Sequence, residues 1–133
     1  MKQIKLYGLS KDERLCSRKA IDKLFTSTKT VFHYPIRFVY QISEKIEGDP
    51  PIQILFTAPK KKFKRAVHRN LLKRRMREAY RLNKNILIDA INDKPLQIRV
   101  AFLYISSDIS EYAKINDAII LALNDLQQLI EGQ

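Results

Sequence analysis

The sequence predicts an α+β sandwich, one sheet with packed helices, its elements in the order αβββαβα. Three observations predict it. Stretches of alternating or continuous apolar character are interleaved with stretches of 3.6-residue period. Apolar residues make up 45% of the 133 positions, enough for one core. Three Gly and five Pro are too few for a disordered or fibrous chain. A single domain over residues 1–133 is expected, with about the first ten residues loosely ordered.

The elements follow in chain order. Ser17 can cap a short helix running to about Thr26, whose Ala20, Ile21, Leu24 and Phe25 share one face. Lys29 to His33 reads as a short strand broken by Tyr34-Pro35, and Ile36 to Ile42 as a second, rich in aromatic and β-branched residues. Gly48-Asp49-Pro50-Pro51 marks a loop over residues 43–51. Ile52 to Thr57 alternates and then becomes continuously apolar, as a central strand does. A long helix is expected from near Arg65 to about Ile91, ending before Pro95, and a buried strand over Leu96 to Ser106. Ser110 then caps a last helix that Gly132 can end, with Ile115, Ala118, Ile119, Ala122, Leu126 and Leu129 at helical spacing.

Charge is the sharpest feature. The net charge is +11, and it is local. Residues 60–84 hold twelve Lys and Arg and one acid, Glu78, while the other 108 residues carry 13 bases and 13 acids. A concentrated positive field attracts polyanions and repels itself when unbound. One cysteine, Cys16, excludes an internal disulfide or a cysteine-based metal cluster and fits a reducing cytosol. No apolar run exceeds about seven residues, against the ~20 of a membrane span, and the start lacks a signal-peptide core, so a cytoplasmic protein is expected.

On a wheel at about 100° per residue with Arg65 at zero, Arg69, Lys73, Arg77 and Arg81 fall near 40°, 80°, 120° and 160°, with Asn70 and Arg74 near 140° and 180°. Val67, Leu71, Leu72, Met76 and Ala79 occupy the opposite arc, interrupted by His68, Arg75 and Glu78. Like charges at i, i+4 cost a few tenths of a kcal/mol each. A merely solvated face would mix signs, as the last helix does. Phosphate accounts for the bases: the guanidinium fork matches its oxygens, and Lys60, Lys61 and Lys62 beside the helix start add to a local anion site. Double-stranded DNA fits less well, because base-reading helices expose Asn, Gln, Ser or Thr and this face offers Asn70 alone.

The run Arg69-Asn70-x-x-Lys73-Arg74-x-x-Arg77-Glu78, preceded by Ala66-Val67, a lysine pair and a strand, resembles the RNR signature of the bacterial ribonuclease P protein family. Glu13-Arg14-Leu15, the helix with Phe25 and the strand through Phe38-Val39-Tyr40 agree with it over nearly the whole chain. The resemblance implies a two-layer sandwich like ribosomal protein S5 domain 2 with a left-handed βαβ crossover, although strand physics alone would favour a right-handed one. It implies an accessory subunit of an endoribonuclease whose catalytic RNA, holding Mg²⁺, removes the 5′ leader of precursor tRNA. Carried over by position, Lys60, Lys61, Lys62, Arg65, Arg69, Asn70, Lys73, Arg74, Arg77 and Arg81 would face RNA, and Ile21, Phe25 and Phe38 would border a cleft for the leader. Ile21 stands where some relatives carry an aromatic residue.

Two other classes remain on the residues alone. A ribosomal or RNA-assembly protein shares the composition but would not need the ordered signature. A stand-alone nuclease would need clustered carboxylates for metal, which Asp108, Glu111, Asp117 and Asp125 do not resemble. His33 and His68 lie on different elements with no triad-like grouping, so no catalytic or metal-ligating residue is expected in the protein.

Overall fold

Ser17 opens the first helix as expected: its hydroxyl accepts from the Ala20 N–H at 3.4 Å, and α1 (Arg18–Phe25) stops at Thr26. The computed structural model describes residues 14–15, 17–27 and 29–132. The expectations for residues 1–10, Glu13 and Cys16 lie outside them.

The strands β1 (Thr30–His33), β2 (Ile36–Glu44), β3 (Ile52–Thr57) and β4 (Leu96–Tyr104) form one sheet in the order β1-β2-β4-β3. The two-residue Tyr34-Pro35 connection makes β1 and β2 an antiparallel hairpin, with Thr30 opposite Val39 and His33 opposite Ile36. β2 pairs antiparallel with β4 and β3 pairs parallel with it, so the sheet is mixed. Parallel neighbours require a crossover, which the basic helix region supplies.

That region is two helices, α2 (Ala66–Asn83) and α3 (Asn85–Ile91), where the periodicity predicts one. The interruption falls at Lys84, next to an asparagine whose side-chain amide donates to the Ala79 carbonyl at 2.8 Å and to Asn116 Oδ1 at 2.9 Å. A side chain inserted into the hydrogen-bond ladder is a recognised cause of such breaks. The final helix, α4 (Tyr112–Glu131), differs from expectation at both ends. Its N-cap is Glu111, while Ser110 is buried and bonded to Tyr104: the Ser110 N–H donates to the Tyr104 hydroxyl at 2.9 Å, and the two hydroxyls lie 2.8 Å apart. Gly132 ends the helix with right-handed φ (−81°), so chain direction rather than a left-handed cap closes it.

Strand alternation divides the interior in two. One sheet face carries Ile36, Phe38, Tyr40, Ile54, Val100 and Phe102 into the main core, against Leu72, Met76 and Tyr80 of α2 and the apolar stripes of α3 and α4. The ring of Phe102 is its hub, edge-on to Phe38 at 4.8 Å, Phe56 at 5.1 Å and Tyr80 at 5.8 Å. Such pairs contribute about 0.5–1.5 kcal/mol each beyond burial. The opposite face makes a smaller core of Val39 and Ala101 with Leu15 and Leu24. The two-layer sandwich therefore gains a short third layer, because α1 lies across the sheet from the other helices.

Candidate nucleic-acid interface

The approach to α2 is a tight turn after Pro59, whose carbonyl accepts from the N–H groups of Lys62 at 3.3 Å and Phe63 at 3.1 Å. Phe63 is buried against Tyr104, ring centroids 5.8 Å apart, which anchors the turn and leaves Lys60 and Lys61 exposed. Lys62 is exposed too, yet its ammonium donates to the Ile105 carbonyl. The α2 N-cap, Arg65, makes no side-chain cap and no acid lies in the first turn. The helix thus presents its free N–H groups, the positive end of its dipole and exposed lysines together, the arrangement that binds anions.

Burial rotates the wheel. Leu72, Met76, Ala79 and Tyr80 are fully buried and centre the inward arc near 0°, where the sequence placed the start of the basic one. Arg69 therefore turns back toward the preceding loop, and its Nη1 donates to the carbonyls of Phe63 at 2.6 Å and Lys64 at 2.9 Å. Asn70, Arg74 and Arg77 point to solvent, as do Lys64 and Arg65 before them, and Lys73 is half-buried. Val67 and Leu71, expected on the core side, lie instead among these outward groups, and Val67 is 66% exposed. The outward residues and His68 line an open groove of about 740 Å³.

Two bases are engaged within the protein. Arg75 Nη1 donates to the Ser110 carbonyl at 2.6 Å, which explains its place on the inner side of the wheel. Arg81 pairs with Glu78, Nη2 to Oε1 at 2.5 Å. That hydrogen bond holds the Glu78 carboxyl below its ordinary pKa and raises the Arg81 guanidinium. Across from them, burial pushes the Tyr112 hydroxyl up, and the Glu78 charge adds to it.

The residues expected at the leader cleft separate. Ile21 is half-buried on the smaller core, and Phe25 lies at the end of α1 with 46% of its surface exposed. Phe38 is a correction: it has no exposed surface and faces the main core, because period-two alternation sends it to the side of the sheet opposite α1. The side chains on the α1 side at that end of the sheet are Phe32 and Arg37, directly paired across β1 and β2 and both exposed. Counting alternation outward from Val39 would have found them. On the same face Arg99 donates to Gln53 Oε1 at 3.1 Å and to Asp49 Oδ2 at 3.4 Å.

His33 lies 2.6 Å from Asp125, Nε2 to Oδ2, tying β1 to α4. Among the described residues no three His, Cys, Asp or Glu side chains gather into a metal-binding group. No helix is long and apolar enough to cross a membrane.

Comparison with known proteins places this arrangement in a family. The family model described as Ribonuclease P matches residues 9–114. The ribonuclease P protein component of Porphyromonas gingivalis is 36% identical over 113 residues, covering 85% of this chain and 82% of that protein. The protein of the same name from Chlorobaculum tepidum is 38% identical over 103 residues, 73% of this chain and 67% of that one. That of Chlorobium phaeobacteroides is 35% identical over 112 residues, 79% and 77% of the two chains. A match spanning both the exposed basic helix and the sheet that supports it means that this chain belongs to the ribonuclease P protein family.

Proposed function

We propose that the chain is the protein subunit of a cytoplasmic ribonuclease P, binding the catalytic RNA through α2 and the turn before it, and the 5′ leader of precursor tRNA on the α1 side of the sheet. The observation that carries this reading is the outward surface of α2, where Asn70, Arg74 and Arg77 stand beside an uncapped helix start flanked by Lys60 and Lys61, with no acid in the first turn. Only a polyanion neutralises such a surface, and the exposed guanidiniums suit phosphate.

On this reading the protein lowers the repulsion between two RNAs and holds one of them in place. Arg69 acts indirectly, fixing the lysine-bearing turn against α2. Phe25 and Phe32 offer ring faces to unpaired leader bases, and Arg37 offers charge to their phosphates. Family membership brings the S5-like class and a left-handed β3–α2–α3–β4 crossover with it. Mg²⁺ would be held by the RNA, and the described residues, which gather no donor group for it, perform no step through the ion.

The test adds the purified protein to a bacterial ribonuclease P RNA at low Mg²⁺ and follows release of the leader from precursor tRNA. Cleavage should rise on addition, and protein without RNA should release none. With about six phosphate contacts, affinity for the RNA should fall on the order of 10³-fold between 50 and 200 mM salt. No stimulation, or salt-independent binding, would overturn the reading.

A further inference from the structure

We infer that α2 carries a docking notch for an unpaired nucleotide, its base lying on Val67 and Leu71 and its neighbouring phosphates on Lys73, Arg74 and Arg77. The inference rests on the RNA-binding reading above and adds to it the kind of RNA this surface selects.

The argument starts from an anomaly. Val67 is the most exposed large apolar side chain among the described residues, at 66%. It sits in the first turns of a helix, where a β-branched residue has no propensity advantage and here packs into neither core. Leu71 follows one turn on, and residues at i and i+4 are surface neighbours. The pair makes a small apolar floor near 200–240° on the wheel, flanked by Asn70 and Arg74 near 140° and 180°. A surface that only gripped phosphates would have no use for that floor.

The groove over it is about 740 Å³, within the range of sites that hold small organic groups. Its other lining groups are His68, Asn70, Lys73, Arg74 and Arg77, with no acid among them. The charge specifies a polyanion, and the floor specifies one with a flat apolar face to offer. Paired RNA presents backbone and keeps its base faces stacked, whereas loops and bulges turn bases outward. Asn70 carries a donor and an acceptor at the groove wall, able to bond a base edge.

The experiment records methyl NMR signals of Val67 and Leu71 in the full chain during titration with three RNAs of equal phosphate number: a hairpin with an unpaired adenosine loop, a blunt duplex, and the same hairpin with abasic loop positions. The looped hairpin alone should move both methyl groups upfield, as a stacked ring does. Val67→Ser should weaken its binding about 5- to 10-fold, in line with base stacking, while duplex affinity and salt slope stay unchanged. Equal methyl displacement by all three RNAs, or equal loss of hairpin and duplex in Val67→Ser, would overturn the notch. So would poly-glutamate producing the same displacement, which would make the surface a site for acidic protein. Arg74→Ala should weaken all three RNAs and reduce the salt slope by about one. If it changed none of them, the RNA-binding reading itself would fall, a result distinct from failure of the base floor alone.

Discussion

At Arg69 the same guanidinium that the signature marks for RNA is spent on two backbone carbonyls, those of Phe63 and Lys64. Arg69→Ala should therefore lower stability by about 1 kcal/mol as well as weaken RNA binding, read by denaturant unfolding and by filter binding. Arg75→Ala should cost about the same, through its lost bond to Ser110, while leaving the salt slope of RNA binding unchanged. The two aromatic residues that the sequence grouped together behave oppositely. Phe38→Ala, in the main core, should cost about 3–5 kcal/mol. Phe25→Ala, largely exposed, should cost within about 0.5 kcal/mol and reduce affinity for a single-stranded leader. The pH dependence of stability also belongs to single groups. Glu78 titrates below its ordinary 4.5 in the fold, so its contribution is present above that value and is lost as pH falls through the lowered one. Tyr112 titrates above 10.0, so its contribution is present below that value and is lost as pH rises through the raised one. Glu78→Gln should remove part of the acid-side decline in a series of thermal melts and leave the alkaline side in place.

Among the elements, those with strong local signals were legible. β3 occupies the expected Ile52–Thr57, and α1 begins after the Ser17 cap because hydroxyl capping is a matter of four adjacent residues. Features decided by distant partners were not legible. The break between α2 and α3 involves Asn83 reaching across to Asn116, 33 positions away. Ser110 loses its capping role to a buried bond with Tyr104. The outward position of Val67 depends on which arc of α2 the sheet covers, and an arc interrupted by His68, Arg75 and Glu78 left that rotation open. Of the candidate interface, the basic stretch was plain from charge counting, but the residues facing the α1 side were hidden until the alternation of β2 was known. Asn83→Ala should straighten the junction and lengthen the protected amide stretch through Lys84 in hydrogen exchange, at a cost of about 1 kcal/mol for the lost bond to Asn116.

For the molecule as a whole, a net charge of +11 confined to one quarter of the chain makes the free state electrostatically strained. A polyanion that binds only the folded form should stabilise it by about 2.7 kcal/mol at a hundredfold excess over Kd, a rise in Tm of about 10 °C for a domain of this size. Thermal melts with and without a bacterial ribonuclease P RNA measure this, and the gain should shrink as salt is added. The alternation of β2, which sends Phe38 to one core and Val39 to the other, also limits how this chain can change length. Removing or adding one residue between Ile36 and Glu44 would exchange the two sets of side chains at a stroke, turning Arg37 inward and Phe38 out to water. A library of single-residue deletions and insertions should therefore lose every member altered in that strand, yet keep many altered at Lys45 to Asp49, where the connection to β3 carries no such phase.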